Sequence, residues 1–213
     1  IDKRMLHRIP MGRTDLFKNT IIKTDNPLDV CILVDESGSM GSYTMRSARR
    51  AAISMKEALS DNEKMNLWVF GHTADRDTRG DTEMTEYWSP SMQDRPMAMG
   101  GMRAKYENRD GTAIVASADR VKAQSHTPAT NKLMIIFSDG DPSADRYRGR
   151  DAYDHTASCV KHVESRGWNV IQVGFAGARE GTMKHCFKNW IYVPEQDTLA
   201  DKVSKIIRKV IKV

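Results

Sequence analysis

Three short clusters of oxygen-bearing side chains are the part of this sequence that could do chemistry. They are Asp35-Glu36-Ser37-Gly38-Ser39, Asp110-Gly111-Thr112 and Ser138-Asp139-Gly140-Asp141. Each places carboxylates or hydroxyls beside a glycine, which lets the backbone turn sharply. Oxygen donors with no His or Cys among them suit a hard divalent ion such as Mg²⁺ or Mn²⁺. Because several of the donors are neutral hydroxyls, a bound ion would stay positive and could accept one further carboxylate from outside.

Strands that alternate with helices are expected to position these clusters. The first and third clusters follow runs of branched apolar residues, 30–34 and 133–137, which is typical of strands buried on both faces. The predicted strands are 30–34, 66–70, 83–88, 132–138, 169–175 and 190–193, and the predicted helices are 43–59, 112–123, 151–166 and 199–213. The pattern indicates an α/β, doubly wound, mostly parallel central sheet with helices on both faces. In such a sheet, ligands bind beyond the carboxyl ends of the strands where the strand order reverses.

The order Asp35-x-Ser37-x-Ser39, then Thr112, then Asp139 resembles the metal-ion-dependent adhesion site of von Willebrand factor A domains. This resemblance implies the Rossmann-like fold of that family. It also implies that Ser37, Ser39 and Thr112 contact the metal directly, whereas Asp35 and Asp139 contact it directly or through water.

The wider sequence is similar to the A-domains of cobalt-chelatase CobT-type and NorD-type proteins. The similar stretches are Leu6-His7-Arg8 with Phe17, residues 33–40, Asn108-x-Asp110-Gly111 and residues 135–142. This similarity implies a partner ATPase of the MoxR or chelatase AAA+ type. We therefore expect a metal-dependent adaptor that grips an acidic residue of a partner protein. The alternative is an accessory, non-catalytic subunit of a cobalt or magnesium chelatase.

Several of these side chains also have a purely local interpretation. The serines of the first cluster would serve equally as turn and helix-capping residues. Asp110 and Asp141 are candidates for a position just outside the direct ligands, or for a helix cap and a turn before Pro142. Arg146, Arg148 and Arg150 follow the third cluster and either rim the metal face or lie in a solvated loop.

Two further groups carry metal-binding residue types, and for both we favour a structural interpretation. His72 with Asp75, Asp77 and Asp81 is interpreted as a solvated loop between strands. A second group has residue types found at zinc sites, Cys159-x-x-His162 and His185-Cys186. However, adjacent His and Cys residues rarely reach one ion together, and Cys159 falls on a predicted helix.

Length and composition exclude several classes of protein. With 213 residues, 39% hydrophobic and 29% charged, the chain is expected to form one globular core. We expect a basic lead-in arm at 1–26 and an A-type domain at 27–213, cut from a longer protein because the chain starts without Met. Three cysteines favour a cytoplasmic setting, and Cys31 is assigned to the core.

The remaining functional classes find little support in the sequence. A net charge of +5 without a basic stripe makes nucleic acid an unfavoured partner, and no apolar run is long enough to cross a membrane. We find no Gly-x-Ser-x-Gly elbow, phosphate-binding loop or His-Glu-x-x-His helix, and no general base beside the expected metal. We therefore expect no enzymatic activity.

Overall fold

A six-stranded sheet with helices on both faces forms the centre of the molecule. The computed structural model describes residues 27–60, 64–92, 98–125, 131–175 and 177–193. The strands are β1 (Leu28–Asp35), β2 (Met65–Ala74), β3 (Thr82–Trp88), β4 (Asn131–Ser138), β5 (Trp168–Gly174) and β6 (Asn189–Tyr192). The helices are α1 (Gly41–Ser60), α2 (Asp110–Gln124), α3 (Gly149–Ser165) and α4 (Glu180–Cys186). The expected α/β class and mostly parallel sheet are confirmed.

The strand order is β3-β2-β1-β4-β5-β6, and only the edge strand β3 runs antiparallel to its neighbour. Going outward from β1, the chain first fills one side of the sheet and then returns to fill the other. The order therefore reverses between β1 and β4, and the loops that follow these strands leave the same edge. That edge, at the carboxyl ends of the parallel strands, is the expected place for a ligand.

Alternation along β1 explains why both faces of the sheet are covered. Val30, Ile32 and Val34 face the core shared with α1, while Cys31 and Leu33 face the core shared with α2 and α3. All five side chains are buried, so the continuous apolar run predicted a central strand correctly. Cys31 lies in the core as expected, and the three cysteines are free.

The structure differs from the sequence-based expectation at three places. α4 was not predicted, because seven residues are too few to show helical periodicity. The segment expected to be a loop at 89–108 contains a 3-10 turn, Met99–Gly101, and Met99 and Met102 are buried in the core. β2 continues to Ala74, so His72 belongs to a strand and not to a loop.

Parts of the expectation fall on residues that are not described. The arm at 1–26 and the helix expected at 199–213 lie outside the described residues. Within the described ranges, no helix combines the length and apolar character required to cross a bilayer.

Candidate functional site

Asp35 organises the candidate site at the carboxyl end of β1. It is fully buried, and its Oδ1 accepts a hydrogen bond from the backbone N–H of Ser37 at 2.8 Å. Its Oδ2 accepts from Asn108 Nδ2 at 2.8 Å and from Ser138 Oγ at 3.0 Å. One carboxylate therefore joins the loop after β1, the segment before α2 and the end of β4.

The serine hydroxyls of the first cluster face each other. Ser37 Oγ lies 3.0 Å from Ser39 Oγ, and the Ser39 side chain also bonds to Asp139. The Ser37 side chain makes no cap hydrogen bond to the 3-10 turn Gly38–Met40 that follows it. The local capping interpretation therefore does not account for Ser37, and both hydroxyls are directed toward the acidic cluster.

Asp139 and Asp141 follow β4 and bring two further carboxylates to this edge. Burial, followed by the charge of Asp35, raises the pKa of Asp139 to about 6. Among the described residues, Oδ1 of Asp139 and Oδ1 of Asp141 are buried without a hydrogen-bond partner. The other carboxylate oxygen of Asp141 pairs with Arg179 Nε at 3.0 Å. Asp141 is thus tied to the segment before α4, while Asp139 keeps an unsatisfied oxygen.

Asp110 is the first residue of α2 and carries the least satisfied carboxyl group. It is buried, and neither of its oxygens has a hydrogen-bond partner among the described residues. Burial, followed by the charges of Asp35 and Asp139, raises its pKa well above the usual range. Asp110 does not cap the helix with its side chain, so the capping interpretation is wrong for this residue.

His72 is a polar neighbour of Asp110. Its Nε2 lies 3.4 Å from Asp110 Oδ1, and both side chains are buried. Burial lowers the pKa of His72 to about 4, so the imidazole is neutral at neutral pH and this contact is dipolar, not an ion pair. Its placement inside the site corrects the expectation of a solvated loop, which failed because β2 is longer than its apolar run suggested.

Thr112 completes the set of expected ligands. It lies in the first turn of α2, two residues after Asp110, and its side chain is exposed. Because Asp110 senses the charges of Asp35 and Asp139, this turn adjoins the acidic cluster. Thr112 is thus close along the chain to the acidic cluster, and its exposed side chain is the remaining hydroxyl of the expected ligand set.

The donor set fits a hard divalent cation. Burial raises the pKa of Asp35 to about 6, with hydrogen bonds from Ser37 and Ser138 opposing the rise. Crowded carboxylates with raised pKa values and unsatisfied oxygens are the arrangement that a bound cation relieves. Within the described part of the chain, no three His, Cys, Asp or Glu side chains form a metal site by themselves. A cation here would therefore take hydroxyl donors as well as carboxylates, and the hydroxyls expected from the sequence are those of Ser37, Ser39 and Thr112.

Glu36 was missed as a functional residue, although it stands inside the first cluster. It is fully buried, and Tyr87 Oη donates to its Oε1 at 2.6 Å. The backbone N–H of Arg103 and the Nζ of Lys105 donate to the same carboxylate at 3.1 and 3.0 Å. Gly71 leaves room for it, since a Cβ there would lie 2.6 Å from Glu36 Oε2. Glu36 thus anchors the segment 103–105 beside the candidate metal ligands.

Asp75 is a second anchor, and its role corrects the solvated-loop expectation. Its carboxylate accepts from Arg109 Nε at 3.0 Å and from the backbone N–H of Gly80 at 2.8 Å and Asp145 at 2.9 Å. Arg109 directly precedes Asp110, so this ion pair holds the beginning of α2. The sequence could not show this contact, because Arg109 lies 34 residues from Asp75 along the chain.

Three of the four side chains considered for zinc have other partners. Cys159 Sγ lies 3.6 Å from His155 Nε2, Cys186 Sγ lies 3.6 Å from the carbonyl oxygen of Tyr153, and His185 Nε2 lies 2.6 Å from Asp154 Oδ1. His155 also contacts Tyr147 Oη through Nδ1 at 2.8 Å.

The surface around the site combines arginines with exposed tyrosines. Arg146 and Arg148 lie between β4 and α3, and Arg150 is the second residue of α3; all three are exposed. Among the described residues, only Arg150 of the three approaches a carboxylate, that of Asp154 at 3.8 Å. The exposed large hydrophobic side chains of the described residues are Tyr43, Tyr106 and Tyr192. Each follows or adjoins the carboxyl end of a strand, so all three lie at the edge that carries the site.

Comparisons with known proteins agree with this architecture. A family model described as the von Willebrand factor type A domain matches residues 29–189. Uncharacterized protein YojO of Bacillus subtilis is 28% identical over 199 residues, which cover 84% of this chain and 29% of YojO. The chain thus spans less than a third of that relative.

Two solved structures share the fold at low sequence identity. The pilus adhesin SpaC from Lactobacillus rhamnosus GG, in its open conformation, matches with a TM-score of 0.67 and 13% identity, over 88% of this chain and 30% of SpaC. The manganese-loaded TRAP protein of Plasmodium vivax matches with a TM-score of 0.62 and 15% identity, over 88% of this chain and 74% of the TRAP chain.

Proposed function

Because the chain belongs to the von Willebrand factor type A domain family, we propose that it binds a partner protein through a divalent metal ion. Asp35, Ser37, Ser39, Thr112 and Asp139 would hold the ion, which is Mg²⁺ or Mn²⁺. The ion would supply a positive charge that remains open to one carboxylate of the partner. The observation that carries this proposal is the group of buried carboxylates at the β1/β4 edge, with unsatisfied oxygens beside paired serine hydroxyls.

The chain's own residues account for the selectivity of such a site. Asp110 and Asp141 would lie just outside the proposed direct ligands, where each has a buried oxygen without a hydrogen-bond partner among the described residues. Asn108 and Ser138 orient Asp35 by donating to its Oδ2. The TRAP protein of Plasmodium vivax, which shares the fold, is manganese-loaded, and this supports a divalent ion as the ligand proposed for this chain.

A protein partner fits the surface around the site better than a small molecule does. Tyrosine and arginine are enriched among residues that dominate protein interfaces. Exposed Tyr43 and Tyr106 lie next to the first cluster, and Arg146, Arg148 and Arg150 lie beyond the third. The arginines would attract an acidic partner and speed its encounter with the metal.

The nature of the partner rests on sequence similarity alone. The likeness to CobT-type and NorD-type A-domains supports an AAA+ ATPase of the MoxR or chelatase class, and a cytoplasmic setting. We propose a binding role without catalysis, since domains of this family are generally interaction modules.

Calorimetric titration of Mg²⁺ and Mn²⁺ tests the metal site directly. We expect one site, with affinity at least roughly tenfold lower in Ser39→Ala, because even residues behind direct ligands change metal affinity by about 10–100-fold. Ser42→Ala is the matched control, since Ser42 is an exposed serine in the next turn. Equal binding by Ser39→Ala and the unmodified chain would contradict the proposed ligand set, and no binding by the folded chain would contradict the function.

A further inference from the structure

A cavity of about 390 Å³ opens beside the first cluster, and the proposed metal site does not use it. Its lining residues are Arg76, Glu83, Arg103, Ala104, Lys105 and Tyr106. Its volume lies within the range of about 300–1,000 Å³ that is usual for ligand pockets. Three of its six lining residues are cationic, so the cavity would favour an occupant that carries negative charge.

The cations of this cavity differ in how far they are already neutralised. Arg76 lies 3.6 Å from Glu83 and 3.4 Å from Asp77, and Lys105 Nζ lies 3.0 Å from Glu36. Arg103 uses its backbone N–H to bind Glu36, whereas its exposed guanidinium has no hydrogen bond or ion pair with any described residue. The cavity therefore presents one unpaired guanidinium, which suits a single carboxylate.

The wall of the cavity is held rigidly against the proposed metal ligands. The carbonyl oxygen of Tyr106 accepts from the backbone N–H of Gly38 at 2.7 Å, and the backbone N–H of Lys105 donates to the carbonyl oxygen of Glu36 at 2.6 Å. Gly38 lies between Ser37 and Ser39, so the wall and the proposed metal ligands share one hydrogen-bonded unit. A partner residue at the metal is therefore close to the cavity.

The same wall is also tied to the rest of the domain. Arg49 Nη1 on α1 donates to the carbonyl oxygen of Gly100 at 3.1 Å, and Met102 is buried in the core. The backbone N–H of Tyr106 donates to Thr73 Oγ1 at 3.1 Å. Because the wall is already fixed at several points, ligand binding does not have to order it. The avoided entropic cost favours affinity.

We propose that the partner presents two acidic residues, one for the metal and a second that enters this cavity and pairs with Arg103. This inference rests on the proposed function and specifies its partner as an acidic segment with two nearby carboxylates. Exposed Tyr106 borders the cavity and would cover the chain that connects the two carboxylates. The second contact discriminates such a segment from one that carries a single carboxylate.

Nuclear magnetic resonance titration with short peptides tests the cavity and the metal site separately. The probes are acetyl-Glu-(Gly)n-Glu-amide peptides of increasing linker length and matched peptides with Gln as the second acidic residue, each in Mg²⁺ and in EDTA. We follow the backbone amide of Ser39 and the Nε–Hε signal of Arg103. In Mg²⁺, both signals should shift with the best two-Glu peptide, which should bind about tenfold tighter than its Gln counterpart.

Substitution of the guanidinium isolates the second contact. In Arg103→Ala the two-Glu and Glu/Gln peptides should bind equally, with the Ser39 shift retained, because only the cavity contact is removed. Arg50→Ala, which removes an exposed arginine of α1, is the matched control and should keep the difference.

The two proposals fail in distinguishable ways. Ser39 shifts without any Arg103 shift, together with equal affinity for the two peptide types, would overturn the cavity proposal and leave the proposed function standing. Arg103 shifts of equal size in Mg²⁺ and in EDTA, with no Ser39 shift in Mg²⁺, would contradict the proposed function. No shift at either residue would contradict both.

Discussion

At the scale of single residues, the site is a set of carboxylic acids whose ionised forms are destabilised by burial in the folded chain. Asp35, Asp110 and Asp139 are buried near one another, and burial raises the pKa of each. A carboxyl group whose pKa is higher in the folded chain than in the unfolded chain lowers stability as pH rises between the two values. The cost is largest above the folded-state pKa, where the group is ionised in both states.

We predict that, without metal, the free energy of unfolding of Asp35→Asn rises relative to that of the unmodified chain as pH increases from about 4 to 6. The pKa of Asp35 rises from 3.8 to about 6, so the relative gain across this window is up to about 3 kcal/mol. The measurement is chemical unfolding in EDTA at several pH values for both proteins. A difference that does not change with pH would contradict the raised pKa.

A single hydroxyl also offers a sharp test of the Glu36 anchor. Tyr87→Phe should destabilise the chain by about 1.5–3 kcal/mol, because it removes a hydrogen bond to a buried carboxylate, 2.6 Å long in the structure. Tyr43→Phe removes an exposed hydroxyl and should change stability by less than about 0.5 kcal/mol. Urea unfolding of the two variants measures the difference, and equal effects would show that the Glu36 contact contributes nothing.

At the scale of elements, α2 must approach α3 closely to bring its first turn to the acidic cluster. Gly111 makes this possible, since a Cβ there would lie 2.7 Å from His155 Nδ1 and 3.2 Å from Cys159 Sγ. The glycine between Asp110 and Thr112 is therefore needed for packing between helices as well as for a turn. The position of Thr112 depends on a contact made on α3.

We predict that Gly111→Ala destabilises the chain by about 1–3 kcal/mol and weakens metal binding, because α2 must shift away from α3. Gly181→Ala is the control: its Cβ would meet nothing within 4 Å, and alanine should stabilise α4 by up to about 1 kcal/mol. Thermal unfolding and Mg²⁺ titration of both variants check this. His155→Ala combined with Gly111→Ala should recover part of the loss, and failure to do so would locate the strain elsewhere.

At the scale of the whole molecule, the carboxyl edge of the sheet gathers charges that come from four connections. The loops after β1 and β4, the segment before α2 and the end of β2 all contribute side chains to the edge. Asp75 ties the end of β2 to the beginning of α2 and to the loop after β4 through Arg109 and the N–H of Asp145. Ligand binding at this edge should therefore raise the free energy of unfolding of the whole domain.

We predict that Mg²⁺ raises the unfolding free energy by about 2.7 kcal/mol at a hundredfold excess over its dissociation constant. This stabilisation should fade below pH 6, because protons then compete for Asp35 and Asp139, whose pKa values lie at about 6. Thermal unfolding with Mg²⁺ and with EDTA from pH 5 to 8 is the measurement. An Mg²⁺ effect of equal size at pH 5 and pH 7.5 would contradict the carboxylate ligands.

Local patterns in the sequence were enough to predict the sheet, its main helices and the clusters at its carboxyl edge. Apolar runs such as 30–34 and 133–137 are recognised from residues that are close along the chain, and Gly38 and Gly140, which follow these runs, indicate where each strand ends. The resemblance carried by Asp35, Ser37, Ser39, Thr112 and Asp139 supplied the metal hypothesis from the same local signals.

Only the tertiary structure decided which polar residues surround those clusters. His72 meets Asp110, Tyr87 and Lys105 meet Glu36, and Arg109 meets Asp75 across separations of 34 to 69 residues. No local pattern encodes such pairs, because they arise when neighbouring strands and loops are brought together by burial of the apolar faces. The sequence by itself therefore determined where the proposed ligands stand, and the packing of distant segments decided the charge, the rigidity and the adjoining cavity of the site.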